Sequence, residues 1–211
     1  MVKNEQNLLK LVVPHGGGEL KPKLLGSGPD AEEERTEALK KAFEHPSVTL
    51  TSRETSDLLM LGMGAYTPLE GFMGQEDWLG SCKEMKLNDG NFWPIPITLS
   101  CDEDIAKGIS SGEEVSLVDE ETGQIMAVMD VVEKYIIDPK LECTEVFQTT
   151  DPAHPGVTKV MNQGKVNLGG PVRVLTEGRF PKEFKGLYLR PADTRSLFSE
   201  RGWSRIAAFQ T

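Results

Sequence analysis

The sequence is short of the residue types on which several classes of protein depend. Its 211 residues include three cysteines, Cys82, Cys101 and Cys143, which lie far apart and form no C-x-x-C pair. This usage argues against a disulfide framework and against a local zinc site. No apolar run approaches the roughly 18 residues of a membrane span, and residues 1–10 lack the pattern of a secretory signal. We therefore expect a cytoplasmic protein without a membrane partner.

Positive charge is also scarce. The chain has 23 Lys and Arg against 33 Asp and Glu, a net charge of −10. Binding to the nucleic-acid backbone requires clustered Lys and Arg, so we predict no nucleic-acid partner. The acidic balance does not exclude a small anion bound in a locally basic pocket.

Familiar catalytic motifs are missing. The sequence has no G-x-x-x-x-G-K-[ST], G-x-G-x-x-G, H-E-x-x-H or G-x-S-x-G. No Cys and His spacing indicates a metal, so we predict no metal site formed by the protein. The single histidine of the proline-rich turn, His154, is interpreted as a hydrogen-bonding group and not as a catalytic one. Composition and spacing therefore indicate only a soluble β-rich domain and the beginning of an α/β domain.

Short β-like segments dominate the middle of the chain. Several strands at close spacing favour a small barrel over a parallel sheet. A hairpin is predicted around the turn at 119–123, and the two prolines of 92–99 place that segment at a sheet edge or strand start. The other predicted strands are 48–50, 133–137 and 167–175.

Helices are predicted around this β-rich region. Residues 30–45 have an N-cap at Asp30 and an apolar stripe. A capping box at 51–54 opens a second helix, and 75–85 form a third. The stripe of the first helix consists of Ala38, Leu39, Ala42 and Phe43. The aromatic, Gly-rich segment 64–74 has two interpretations, a docking surface for another domain or a packed corner of the core, and the sequence leaves both open.

The pattern changes after residues 180–184. A helix is predicted from Pro191 to a stop at Gly202, and 206–209 are predicted to form a buried strand. Two polar residues, Gln210 and Thr211, follow it. Ligands bind at the C-terminal ends of strands in open α/β sheets. We therefore expect the chain to be the front part of a longer enzyme, although on these residues alone a plain polar loop is the simpler interpretation.

Seven stretches, taken in order, carry a resemblance to a known family. They are 14–17, 52–54, 64–73, 89–99, 154–157, 168–170 and a last group formed by 194–195, 202–203 and 208–211. Over nearly its whole length the chain resembles the ATP sulfurylase (sulfate adenylyltransferase) family. Each stretch alone is weak, but seven in the right order make a chance similarity improbable.

The resemblance implies a mixed α and β architecture in two parts. Residues 1–180 would form an N-terminal PUA-like β-barrel domain with flanking helices. Residues 181–211 would form the first helix and strand of a Rossmann-like nucleotidyltransferase α/β domain, truncated at this point. By resemblance, Gln210 matches a position that binds sulfate and ATP, and Thr211 matches a catalytic position that binds ATP. The family's next residues, Arg-Asn and then His-x-x-His, lie beyond the chain, so we expect the chain alone to be inactive.

The activity implied by the resemblance is the reversible reaction of ATP and sulfate to adenosine 5′-phosphosulfate and diphosphate. Mg²⁺ is expected with ATP, and the full-length protein is expected to be a homo-oligomer. The alternative hypothesis is a PUA-like module that binds RNA or mediates oligomerisation without catalysis. The acidic composition argues against the RNA-binding form of that hypothesis.

Overall fold

A computed structural model of the chain describes residues 11–26 and 29–209. The described helices are α1 Pro29–Ala42, α2 Ser52–Met63, α3 Gln75–Glu84, α4 Glu103–Gly108, α5 Pro139–Phe147, α6 Pro155–Asn162, α7 Phe180–Glu183 and α8 Pro191–Glu200. The described strands are β1 Ser47–Leu50, β2 Gly71–Phe72, β3 Leu99–Cys101, β4 Glu114–Asp119, β5 Ile125–Asp130, β6 Glu133–Ile136 and β7 Val166–Val174. Helices and short strands are therefore mixed along the chain, as predicted.

The strands form one curled sheet built around β7. The order is β1-β4-β5-β7-β2, and β3 and β6 pair with β7 as well. The first part of β7 pairs with β3 and β6, whereas its last part pairs with β5. Between the two parts lies Gly170, with φ +156°, where a Cβ atom would lie 2.0 Å from the Asp130 carbonyl oxygen. The strand curls at this glycine, and the sheet is a half-barrel with only β1 and β4 parallel among its described strands.

The main core lies inside the curled sheet and is covered by α2. Its fully buried side chains include Leu50, Leu58, Leu99, Leu117 and Leu168. They come from four different strands and one helix, which explains why a pattern of many short strands closes into one domain. The predicted hairpin is confirmed as β4 and β5, and the predicted capping box is confirmed at Thr51 and Glu54.

The apolar stripe predicted on α1 is only partly correct. Ala42 is buried against Ile125 and Val128, but the Leu39 and Phe43 side chains are 36% and 74% exposed. Ser116 donates a hydrogen bond from Oγ to the Ala42 carbonyl oxygen at 2.5 Å. This contact brings the helix backbone close to the sheet, where the small alanine side chain fits. The side chain of Asp30, the predicted N-cap, lies outside the described residues.

Of the two interpretations of 64–74, the packed corner of the core is confirmed. Leu69, Phe72 and Met73 are all buried in the main core, and Met73 donates from its backbone N to the Ile97 carbonyl oxygen. The strand predicted at 92–99 is largely wrong, because Pro94 and Pro96 have no N–H to donate to a ladder. In that segment only Leu99 belongs to a strand.

The buried strand predicted at 206–209 is wrong for the described structure. These residues have no strand pairing, and Ile206 and Phe209 are 47% and 93% exposed. A strand needs a neighbour to receive its N–H and C=O groups. No strand within residues 11–26 and 29–209 supplies that neighbour.

Candidate functional site

The two residues predicted to bind substrate, Gln210 and Thr211, lie outside the described residues. The structure does describe the segment that leads to them, from the end of β7 at Val174 to Phe209.

The segment is anchored by a buried carboxylate, Glu177, which is 6% exposed. Arg190 binds it in a bidentate manner, with Nε donating to Oε1 at 2.9 Å and Nη2 donating to Oε2. Tyr188 donates from its hydroxyl to Oε1 at 3.2 Å, and burial, together with the Glu177 charge, raises the pKa of Tyr188 to about 12. Planar, two-point pairing of this kind fixes direction as well as distance. The residue before α8 is thus held firmly to the end of the half-barrel.

The helix that follows, α8, forms as the sequence predicts. Pro191 occupies its first turn, Asp193 accepts a hydrogen bond from the Arg190 backbone N at 3.0 Å, and Gly202 beyond its C-terminus has φ +68°. One side chain of the helix reaches the N-terminal segment of the chain. Arg195 donates from Nη2 to the Val12 carbonyl oxygen at 2.5 Å.

The residues after α8 are largely exposed and form no regular secondary structure. Trp203 donates from its backbone N to the Phe198 carbonyl oxygen at 2.8 Å, and the Arg201 guanidinium lies 4.8 Å from the centre of the Trp203 ring. Large apolar side chains are exposed throughout the segment: Phe184, Leu187, Leu189, Trp203, Ile206 and Phe209. Exposed apolar side chains concentrated in one segment are typical of a surface that packs against another part of a protein.

The charge of this segment is opposite to that of the whole chain. Residues 174–209 contain seven Lys and Arg and four Asp and Glu, a net charge of +3, in a chain with a net charge of −10. A local excess of positive charge attracts anions even when the protein as a whole is acidic. The segment that leads to Gln210 and Thr211 is therefore suited to anionic ligands.

A second polar cluster lies beside α2. Asp57 accepts from Arg53 Nη1 at 3.2 Å and from the Tyr66 hydroxyl at 3.1 Å, and Arg53 also donates to the Thr98 carbonyl oxygen at 3.4 Å. A groove of about 280 Å³, walled by Trp93 and the prolines after it, borders the cluster. The carboxylate and the guanidinium bind each other, and the cluster ties the 64–74 corner to α2.

The Asp57 side chain makes the stability of the fold depend on pH. Burial raises its pKa from 3.8 to about 6, against the opposing effects of Arg53 and Tyr66. Asp57 therefore takes up a proton when the chain folds, and its protonation stabilises the folded state. This stabilisation is complete below about pH 3.8 and is lost as the pH rises through about 6. The amide of an Asp57→Asn variant has no charge to desolvate and still accepts from Tyr66. We expect the free energy of unfolding of this variant, minus that of wild type, to rise by roughly 2–3 kcal/mol from pH 4 to pH 8.

Urea unfolding of the 211-residue chain at several pH values measures this difference. The matched control is Asp104→Asn, because the Asp104 side chain is 94% exposed. Parallel stability profiles for Asp57→Asn and wild type would show that the Asp57 charge has no effect on folding.

His154 and the three cysteines are structural. His154 accepts at Nδ1 from the backbone N of Gly156 at 3.2 Å and of Val157 at 3.4 Å, which caps α6 and confirms its predicted hydrogen-bonding role. Cys82, Cys101 and Cys143 are buried and free. Burial raises the pKa of the Cys101 thiol to about 11, so it is not a thiolate at neutral pH.

No group of three or more His, Cys, Asp or Glu that could hold a metal ion occurs within 11–26 and 29–209. Within the same described residues, no helix is long and apolar enough to cross a membrane.

Two contacts of the segment escape sequence reasoning. The Glu177–Arg190 pair joins residues 13 apart in the chain, and the Arg195–Val12 contact spans 183 residues. An arginine before a helix-starting proline is a weak signal for the first. No local pattern indicates the second, since its acceptor is a backbone carbonyl.

Comparison with known proteins gives the family. A family model described as a PUA-like domain matches residues 12–177. Curated relatives are named sulfate adenylyltransferase. Those of Pelodictyon phaeoclathratiforme and Chlorobaculum tepidum are 56% and 55% identical, and each match covers 96% of this chain and 49% of the relative. The relative from Thiobacillus denitrificans is 53% identical, with 96% and 48% covered.

The chain thus spans about half the length of the curated relatives it matches. A solved structure of a hexameric APS kinase from Thiobacillus denitrificans is 29% identical with a TM-score of 0.66, and the match covers 92% of this chain and 32% of that one. The family match extends over the whole half-barrel, from the N-terminal segment to Glu177, and on this basis the chain belongs to the PUA-like domain family.

Proposed function

We propose that the full-length protein containing this chain is a sulfate adenylyltransferase. The observation that carries the proposal is the 56% identity, over 96% of this chain, to a relative of that name. Proteins this similar over 205 aligned residues share their fold.

In this protein the chain divides at residue 180. Residues 1–180 are the PUA-like domain, and residues 181–211 begin a Rossmann-like nucleotidyltransferase domain. The change of charge after residue 178 supports this division, as does the concentration of exposed apolar side chains in 184–209. In the full-length protein the second half would cover those side chains.

The reaction is a transfer of the adenylyl group. A sulfate oxygen forms a bond to the α-phosphorus of ATP, the bond from that phosphorus to the bridging oxygen breaks, and diphosphate leaves with the electron pair. No covalent protein intermediate is needed. Catalysis of such a step depends on positioning two anions that repel each other and on stabilising the charge of the transition state.

Gln210 and Thr211 have the chemistry for those tasks. The Gln210 amide donates hydrogen bonds to sulfate and to ATP without adding a charge of its own. The Thr211 hydroxyl donates to a phosphate oxygen whose charge grows during the transfer. The basic segment before them lowers the cost of bringing both anions to one place.

The partners follow from the reaction. Its substrates are ATP, sulfate, adenosine 5′-phosphosulfate and diphosphate, with ATP arriving as its Mg²⁺ complex and the metal held by the phosphates. We assign the protein to the cytoplasm, and we expect the full-length protein to be a homo-oligomer. The structural neighbour is described as a hexamer, which supports the oligomer.

The test is a comparison of the full-length protein with residues 1–211 alone. We expect the full-length protein to form ATP from adenosine 5′-phosphosulfate and diphosphate, and the 211-residue chain to form none above background, because most of the proposed site follows Thr211. A luminescent assay of ATP measures both. A full-length protein without this activity refutes the proposed function, and turnover by the 211-residue chain refutes the proposed location of the site.

A further inference from the structure

Helices α5 and α6 form a lobe that is inserted between two paired strands. Residues 138–164, here called the α5–α6 lobe, leave the sheet after β6 and return to it at β7. The two strands pair at this point, with Ile136 opposite Val166, and Ile137 donates from its backbone N to the Lys165 carbonyl oxygen at 3.3 Å. The lobe is therefore attached to the sheet at one narrow base.

The lobe has a small core of its own. Cys143 of α5 is fully buried in a cluster with Val157 and Val160 of α6, and Phe147 packs against the same cluster. All four residues belong to the lobe, so α5 and α6 remain packed on each other when the lobe moves relative to the sheet. The two helices therefore form one unit.

A buried carboxylate lies where this unit contacts α3 and β6. The apolar cluster on which Leu141 and Val146 of α5 pack consists of Trp78, Cys82, Tyr135 and Ile137. Beside it, Trp78 donates from Nε1 to Glu142 Oε2 at 2.7 Å, and Glu142 is 5% exposed. Among the hydrogen bonds and ion pairs of 11–26 and 29–209, this is the one that joins the lobe to the rest of the structure.

The charge of Glu142 determines how stable the contact is. An ionised carboxylate loses its hydration on burial, and a single N–H donor replaces only part of that hydration. Burial accordingly raises the pKa of Glu142 above 4.5, against the opposing effects of the Trp78 hydrogen bond and the Arg53 charge. In an open lobe the side chain is hydrated, so closing takes up a proton. The closed lobe is therefore favoured at low pH and loses stability as the pH rises through the raised pKa.

The other buried ionisable groups of this contact stay neutral. Burial raises the pKa of the Cys82 thiol to about 12, and it also raises the pKa of the Cys143 thiol and of the Tyr135 hydroxyl. The remaining ionisable side chains on the surrounding elements are exposed or half-buried: Lys83 of α3, Glu133 of β6, Glu145 of α5, and His154 and Lys159 at α6. Glu142 is therefore the buried group of this contact whose charge changes with pH.

We propose that the α5–α6 lobe is a pH-dependent flap, which is closed on α3 while the Glu142 side chain is neutral and opens when that side chain loses its proton. Opening of this kind is a local event that leaves the main core folded. It uncovers Trp78 and Cys82 on the half-barrel. The inference does not depend on the proposed function, because the contacts on which it rests lie within the half-barrel and the lobe.

Thiol labelling of the full-length protein measures the opening. Cys82 lies under the flap, Cys143 lies inside it and Cys101 lies in the main core. Short pulses of N-ethylmaleimide followed by peptide mass spectrometry give a rate for each cysteine. Division by the rate in the urea-unfolded protein at the same pH removes the pH dependence of thiol reactivity itself. We expect the protection of Cys82 to fall with rising pH, by up to about tenfold per pH unit, and that of Cys101 and Cys143 to stay constant.

Two variants assign the effect to one carboxyl group. The amide of Glu142→Gln keeps the shape and still accepts from Trp78 but cannot ionise, so its Cys82 protection should not change with pH. Glu145→Gln removes a charge from the exposed side of the same helix and should keep the wild-type pH dependence. Constant Cys82 protection in the wild-type protein would by itself overturn the proposal. So would a fall in Glu142→Gln equal to that of wild type, or a parallel fall at all three cysteines, which would mean global unfolding.

Discussion

Replacing Thr211 with valine in the full-length protein is expected to lower kcat about 100- to 1000-fold. Valine keeps the shape and the branching of threonine but removes the hydroxyl that we assign to a phosphate oxygen. Loss of one donor aimed at developing transition-state charge has this magnitude in other enzymes. Steady-state formation of adenosine 5′-phosphosulfate with saturating MgATP and sulfate measures the effect.

A change of Thr36 to valine serves as the control. The Thr36 hydroxyl donates to the Glu32 carbonyl oxygen within α1, on the exposed surface, so kcat should change by less than about twofold. A Thr211→Val protein with normal kcat would remove Thr211 from the catalytic step. If its stability fell in proportion to its activity, the hydroxyl would be structural.

Replacing Gly71 with alanine is expected to destabilise the 211-residue chain by about 3 kcal/mol or more. A Cβ atom at this position would lie 2.1 Å from the Gly170 carbonyl oxygen and 2.8 Å from the Pro171 Cα. Both are backbone atoms of β7, so no side-chain rotation relieves the overlap. The pairing of β2 with β7 must open instead, at the corner where Phe72 and Met73 enter the core.

The matched control is Gly108→Ala at the end of α4. No heavy atom lies within 4 Å of a Cβ atom built at Gly108, and its φ lies outside the left-handed region. The alanine should therefore be neutral, or stabilising by up to about 1 kcal/mol, since it reduces the freedom of the unfolded chain. Equal urea midpoints for Gly71→Ala and Gly108→Ala would show that β2 is not held as closely as the structure indicates.

Most helices and strands are determined by residues that are close in sequence. The capping box at Thr51 and Glu54, the hairpin of β4 and β5, and the helix starting at Pro191 are readable because the residues that form each one are close in sequence. Segments whose structure depends on residues distant in sequence are harder to predict. The predicted stripe of α1 and the predicted strand at 206–209 both assumed apolar partners, and the described fold does not supply them.

For the candidate site, the sequence by itself determined the family resemblance, from which we propose Gln210 and Thr211 as site residues, and the positive charge of the segment before them. Only the tertiary structure decided how that segment is held. The Glu177 carboxylate and the Val12 carbonyl oxygen receive arginines from the residue before α8 and from α8 itself. No local sequence pattern predicts either pairing. An arginine side chain can bind any acceptor that the fold brings close to it, and the tertiary structure decides which acceptor that is.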